Sequence, residues 1–234
     1  MKEIKKYSFL IFICAMMGGM WGCNRSGDDP PPILPTASLN VINAVTDIRA
    51  INFYLNGTRQ NNNSAIFLYN ASGYLSVTKG EQQYQFKSDT DRTVLADIKL
   101  NMPLTDSTTY TLVLTGQQRK NNLTPIFIAD NFIVDTNANN ARVRFVQAST
   151  GVQAYDVFVG DTLSFKNQPF KNSTAFVSVG PGKKTVKVNL AGTNTPVFSG
   201  TVILNQNTYY TLYTSGEQGG TGKNALNVAV NISR

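Results

Sequence analysis

Apolar and polar residues alternate with a period of two along much of the chain. Leu39-Asn40-Val41-Ile42, Tyr84-Gln85-Phe86-Lys87, Val143-Arg144-Phe145-Val146 and Thr185-Val186-Lys187-Val188-Asn189-Leu190 all carry the pattern. Successive side chains of an extended strand point to opposite faces, so this period predicts strands with one face on a core and the other in water. Val, Ile, Thr, Tyr and Phe fill these stretches, and their stiff or flat side chains suit a pleated surface. Turn chemistry separates them at Asn56-Gly57, Ala71-Ser72-Gly73, Lys79-Gly80, Gly160-Asp161, Gly180-Pro181-Gly182 and Gly192-Thr193-Asn194. No stretch after the first 23 residues shows a helical stripe.

The pattern occurs twice. ASLNVINAVTDIRAINFYLNG (37–57) aligns without gaps on ARVRFVQASTGVQAYDVFVGD (141–161) at an offset of 104. Val41 falls on Phe145, Ile42 on Val146, Ala44 on Ala148, Phe53 on Val157 and Leu55 on Val159. Farther on, Val77 and Gly80 match Val179 and Gly182 at an offset of 102. Tyr110-Thr111-Leu112 and Gly116 match Tyr210-Thr211-Leu212 and Gly216 at an offset of 100. A slow drift of this kind marks small loop deletions between two copies of one fold. The copies span 37–134 and 141–234, with a polar linker at 135–140.

Seven or eight short strands in about 100 residues predict a β-sandwich for each copy. The expected fold class is therefore all-β, with two tandem immunoglobulin-like or fibronectin-III-like sandwiches. Leu104-x-Asp106-x-Thr108-x-Tyr110 and Leu204-x-Gln206-x-Thr208-x-Tyr210 share one spacing. It resembles the corner of such sandwiches, where a Leu plugs the core and a Tyr hydroxyl bonds back to the backbone. Tyr110 and Tyr210 are expected to be structural.

The first 22 residues read as a signal peptide. Lys2, Lys5 and Lys6 precede the apolar run Tyr7–Ala15, which is too short for a membrane-spanning helix. Met20-Trp21-Gly22-Cys23 resembles the lipobox of bacterial lipoproteins, which implies lipidation of Cys23. An ordinary secretory signal or an uncleaved anchor is the alternative. Residues 23–36, polar and then Pro-rich, form a flexible tether. Asp28-Asp29 shortly after the cysteine resembles the surface-export signal of Bacteroidota lipoproteins, so display on the outer membrane is expected, at the cell surface or facing the periplasm.

Composition removes several kinds of chemistry. The 234 residues contain no His, and Cys14 and Cys23 are the only cysteines. That excludes a Ser-His-Asp triad, a His-metal site and a thiol centre in the body. Net charge is +7, and the first 22 residues hold three Lys and one Glu, leaving +5 beyond them. The basic pairs Arg119-Lys120 and Lys183-Lys184 are isolated, with no basic stripe interleaved with aromatics, so nucleic acid is not an expected partner.

At the second copy, ARVRFVQASTGVQAYDVFVGD, FKNSTAFVSVGPGKKTVKV and LNQNTYYTLYTSG are similar to the DUF4397 family of bacterial secreted domains. The first copy matches more loosely. The His of the family's "VHAS" element is Gln147 here and Asn43 in the first copy, and its Pro is Thr150 and Thr46. The resemblance implies fold and export rather than a reaction.

Candidate chemistry is sparse. Asp89-x-Asp91 reads as a hairpin turn, and Asp156 as a solubilising residue at a strand end. Asp135-x-Asn137-x-Asn139 starts like a calcium loop but has Asn140 and Val146 where Gly and a bidentate acid belong. The Gly-rich run Gly216–Lys223 lacks the spacing of a phosphate loop and reads as a hairpin loop able to touch a partner. Asp106-Ser107-Thr108 and Asp161-Thr162-Leu163 resemble an O-glycosylation signal of Bacteroidota secreted proteins. Tyr69 and Tyr74, flanking the turn at 70–73, are the candidate ligand-binding platforms. No metal or cofactor and no catalysis is expected. The reading is a lipid-anchored envelope protein that binds an unidentified protein or glycan through loops. The alternative is a structural or accessory subunit of an envelope uptake or export complex.

Overall fold

The alternating stretches form strands, as the β-branched and aromatic content dictates. The computed structural model describes residues 36–62, 64–99, 103–132, 139–151 and 154–234. The expected signal peptide, the tether with Cys23, and 135–138 of the linker lie outside the described residues. In the first copy the strands are β1 (Thr36–Asn43), β2 (Ala50–Leu55), β3 (Thr58–Arg59), β4 (Ile66–Phe67), β5 (Ala71–Thr78), β6 (Gln83–Ser88), β7 (Val94–Lys99), β8 (Thr109–Thr115) and β9 (Thr124–Ala129). In the second they are β10 (Ala141–Val146), β11 (Tyr155–Val159), β12 (Thr162–Gln168), β13 (Val177–Val179), β14 (Gly182–Leu190), β15 (Pro196–Leu204), β16 (Tyr209–Ser215) and β17 (Asn227–Ile232).

Each copy is a sandwich of two sheets. The first has sheets β5-β1-β8-β9 and β3-β2-β6-β7, with β4 also on β2. The second repeats the order as β13-β10-β16-β17 and β12-β11-β14-β15. The duplication read from sequence therefore extends to topology. In both copies the first strand runs parallel to the penultimate one: Leu39 faces Tyr110 and Val41 faces Leu112, while Val143 faces Tyr210 and Phe145 faces Leu212. A parallel pair needs a long crossover, and here the rest of the sandwich is that crossover.

Each sandwich closes on its own apolar core. Leu39, Val41, Phe53, Phe86, Leu112 and Leu114 centre the first. Val143, Phe145, Tyr155, Val157, Val188 and Leu212 centre the second. The two Leu–Tyr corners form as expected. Leu104 and Leu204 are buried, and the Tyr110 and Tyr210 hydroxyls accept the backbone N–H of Thr105 (3.2 Å) and Asn205 (2.9 Å). Ser107 and Asn207 both turn the corner at positive φ.

The expectation of one wet face fails on the inner sheets. β8 is buried from Tyr110 to Thr115, and β16 along its whole length. Residues 35–234 form one compact unit, and a third apolar cluster joins Ile42, Ala44 and Val113 to Val146, Ala148 and Tyr213. The inner sheets of the two sandwiches thus pack on each other, stacking four sheets face to face. Their polar residues meet the opposite copy rather than water.

The sandwiches meet with like ends together. Beyond the ends of β1, β8, β10 and β16, Thr46 Oγ1 bonds Asn224 Oδ1 (2.8 Å), Lys120 Nζ bonds Glu217 Oε2 (2.8 Å), and Thr115 Oγ1 donates to the Ala148 carbonyl. The loops that follow all four strands therefore share one end. Thr36, the first described residue, opens β1 at the other.

Candidate functional site

Two features lie between the copies: a polar seam inside, and a groove at the shared loop end. The seam centres on Arg144, which is 1% exposed. Its Nε donates to Thr211 Oγ1 (2.8 Å), Nη2 to Thr111 Oγ1 (2.9 Å) and Nη1 to Asp130 Oδ1 (2.5 Å). The guanidinium also lies 4.8 Å from the Phe176 ring centroid. Asp130 Oδ2 accepts the hydroxyls of Thr111 and Tyr74, each at 2.8 Å. A buried charge pair survives only when its remaining hydrogen-bonding capacity is met, and this network meets it. At the position matching Arg144 the first copy has Asn40, whose Nδ2 donates to Asn231 Oδ1 (3.1 Å).

The seam claims one of the two candidate platforms. Ala71-Ser72-Gly73 is not a turn but the start of β5, bulged against β1 between Asn40 and Ile42. Ser72 Oγ accepts the Val41 N–H (2.9 Å), and Gly73 takes the positive φ that the bulge needs. This turns Tyr74 toward the seam, half-buried, with its hydroxyl on Asp130. Burial first, and the Asp130 carboxylate second, push the phenol well above its ordinary value. Tyr74 is a structural hydrogen-bond donor here, not an exposed ring.

Tyr69 is placed differently. It sits at positive φ in a turn where its N–H bonds the Asn43 carbonyl (3.0 Å), and it lines an open groove of about 600 Å³. The same turn in the second copy has Lys171, whose N–H bonds the Gln147 carbonyl (2.9 Å). Phe67 and Tyr69 thus stand where the second copy has Pro169 and Lys171. The first copy supplies the groove with Asp47, Arg49, Phe67, Tyr69 and Arg119, and the second closes it with Lys223 and Asn224. The Gly-rich run contributes Lys223 through a short 3-10 turn, Gly222–Asn224.

Glycines shape the loops at this end. A Cβ on Gly116 would lie 2.5 Å from the Asn122 carbonyl oxygen, and one on Gly216 would collide with the Ala225 carbonyl. Both also have positive φ, so no other residue fits without moving the loop. The positions of the family's His hold the neighbouring loops. Asn43 Oδ1 accepts the Val45 N–H (3.1 Å) and Gln147 Oε1 accepts the Ser149 N–H (2.8 Å), both side chains being buried.

The charged residues of the groove divide into satisfied and free. Asp47 accepts the N–H groups of Gln118 and Arg119, each at 3.0 Å, and lies 3.4 Å from Arg119 Nε. Glu217, beside the groove, is held below its usual range, first by the hydrogen bond from Lys120. Arg49 and Lys223 have no carboxylate partner among the described residues. Arg49 lies over Phe67, 5.6 Å from its ring centroid.

Two further acids, Asp156 and Asp91, are structural. Asp156 is not a solubilising residue: it is buried, and its carboxylate accepts the N–H groups of Asn167 (2.7 Å) and Gly192 (2.9 Å), tying the end of β12 and the β14–β15 turn to β11. Asp91 does sit in the β6–β7 turn, where Oδ1 accepts the Thr93 N–H (3.1 Å). Hydrogen bonds from Ser88 and Thr93 hold it below the ordinary carboxylate range. Among the described residues no three His, Cys, Asp or Glu side chains gather as a metal cluster. Asp130 and Arg144, the most heavily bonded charge pair among the described residues, carry no motif in the sequence. The one available signal was that Val41-Ile42 and Phe145-Val146 put apolar side chains on both faces of a strand.

Stacked β-sandwiches built from one duplicated topology, with loops gathered at one end, define the class. The family model described as "Domain of unknown function (DUF4397)" matches residues 37–154 and 141–231, and the chain belongs to that family. No curated protein matches the sequence. A solved structure from Bacteroides eggerthii DSM 20697, described as a "putative cell adhesion protein", is similar at 8% identity, covering 86% of this chain and 96% of that one, with a TM-score of 0.20. A likeness at that score carries no argument about function.

Proposed function

We propose that this is a lipid-anchored protein of the cell envelope that works by binding rather than catalysis, through the loop end of its paired sandwiches. One observation carries the reading: the loops after β1, β8 and β16 come together around one groove, at the end opposite Thr36. A lipid on Cys23 would join the body through Thr36, at the end opposite the groove. Recognition loops on a rigid scaffold are the usual arrangement for binding proteins. The stacked sheets supply that rigidity, and Arg49, Phe67, Tyr69 and Lys223 supply contact chemistry from both copies.

The test has two parts. Cys23→Ala should move the protein from the membrane to the soluble fraction, and protease shaving of intact cells should release peptides from 37–234. A photo-crosslinking side chain at position 223 should capture a ligand in living cells, and one at position 183, near the Thr36 end, should not. Retention of Cys23→Ala in the membrane refutes the anchor. Equal capture from both positions refutes the loop end as the binding end.

A further inference from the structure

We infer that the groove at the loop end is a site for a carboxylate-bearing polysaccharide, a glycan with uronic-acid-type sugars; this rests on the reading of that end as the binding end. Three observations point the same way. The first is charge. Arg49, Arg119 and Lys223 line the groove against one acid, Asp47, and that acid is already taken by two backbone N–H groups and Arg119. Arg49 and Lys223, from opposite copies, are left to receive an anion. A guanidinium presents the paired donors that a carboxylate accepts, and an ammonium adds a second point charge.

The second is the aromatic surface. Phe67 is 39% exposed, and Tyr69 lies two residues away in the same turn. The apolar face of a pyranose packs on rings of this kind, while Asn224 on the groove wall, its Oδ1 held by the Thr46 hydroxyl (2.8 Å), turns its amide N–H groups to sugar hydroxyls. The second copy has Pro169 and Lys171 in the matching turn, so the aromatic pair is not a requirement of the fold.

The third is the backbone. An extended peptide binds by adding a strand to free N–H and C=O groups. Of the groove's own lining, the N–H groups of Leu68, Tyr69, Arg119 and Asn224 are spent within the protein. The groove recognises through side chains, which suits a glycan and not a peptide strand.

The full chain in detergent would be titrated with polygalacturonate, neutral dextran and poly-glutamate. Binding to polygalacturonate alone is expected. Arg49→Gln with Lys223→Gln should weaken it at least tenfold, and Tyr69→Ala several-fold. Lys183→Gln with Lys184→Gln, away from the groove, should leave it unchanged. Absence of polygalacturonate binding overturns the inference, as does equal binding of poly-glutamate. So does an equal loss in the Lys183/Lys184 variant, which would mark diffuse charge attraction. If crosslinks still form from position 223 after such a failure, the glycan assignment falls and the binding end stands.

Discussion

The cores of the two sandwiches and the seam between them are built from the same strands, yet they obey different rules. In the cores, equivalent positions hold equivalent residues. Val41 and Phe145 are both fully buried and apolar, as are Leu104 and Leu204. In the seam, equivalence breaks down: Arg144 stands where the first copy has Asn40, and Ser233 occupies the place of Asp130, each donating its N–H to the strand residue opposite. A core only has to be filled with apolar volume, so two diverging copies keep its pattern. A seam between two copies has to fit one to the other, and complementary charges require different residues on the two sides. Buried polar pairs of this kind set register, at a cost in desolvation that the Asp130, Thr111 and Thr211 contacts offset.

The largest test of that contrast is to leave the seam's cation alone. Asp130→Ala strands a buried guanidinium and is expected to cost about 3–5 kcal/mol in urea unfolding. Adding Arg144→Met should recover most of that loss, because removing both charges removes the desolvation cost. Next come the plugs: Leu104→Ala and Leu204→Ala should each cost about 2–5 kcal/mol, and by similar amounts if the cores are as equivalent as they look. Tyr110→Phe and Tyr210→Phe come third. Each leaves one backbone N–H without its acceptor, for about 1–3 kcal/mol, and calorimetry should give the larger loss for Tyr110→Phe, which also gives up the Thr105 hydroxyl (2.8 Å).

The smallest effect is alkaline. Burial first, and Tyr110 second, push the Tyr84 phenol from its ordinary value near 10 up to about 12. A raised phenol pKa means the folded state holds the proton longer than the unfolded chain does. Its contribution is therefore full below about pH 10 and lost as pH rises toward 12. Tyr84→Phe should flatten that part of the stability–pH curve. It should do so with little change at neutral pH, since the Tyr84 hydroxyl has no hydrogen-bond partner among the described residues.

What the sequence revealed follows the same division. The repeat, the strand positions and the Leu–Tyr corners were legible because each is a local pattern over a few residues. The lipobox-like flank of Cys23 is also a local pattern, and it falls outside the described residues. The parallel pairing of β1 with β8 was not legible, because its partners lie some 70 residues apart and alternate like any other strands. Arg144 looked like a solvent-facing residue because period-two alternation does not distinguish water from a second polar sheet. Tyr69 is legible in the sequence as an aromatic beside Asn70-Ala71-Ser72-Gly73, and the structure puts it on the groove wall. Arg49, Phe67 and Lys223 are not legible, since nothing in their neighbourhoods links residues 49 and 223.

The central claim is that the seam makes two sandwiches into one body, and scanning calorimetry of the full chain tests it most directly. The account predicts a single cooperative transition in the unaltered protein, with calorimetric and van't Hoff enthalpies in agreement, and a lowered or split transition in Asp130→Ala. Two resolved transitions in the unaltered protein, with midpoints that Asp130→Ala leaves in place, would contradict it.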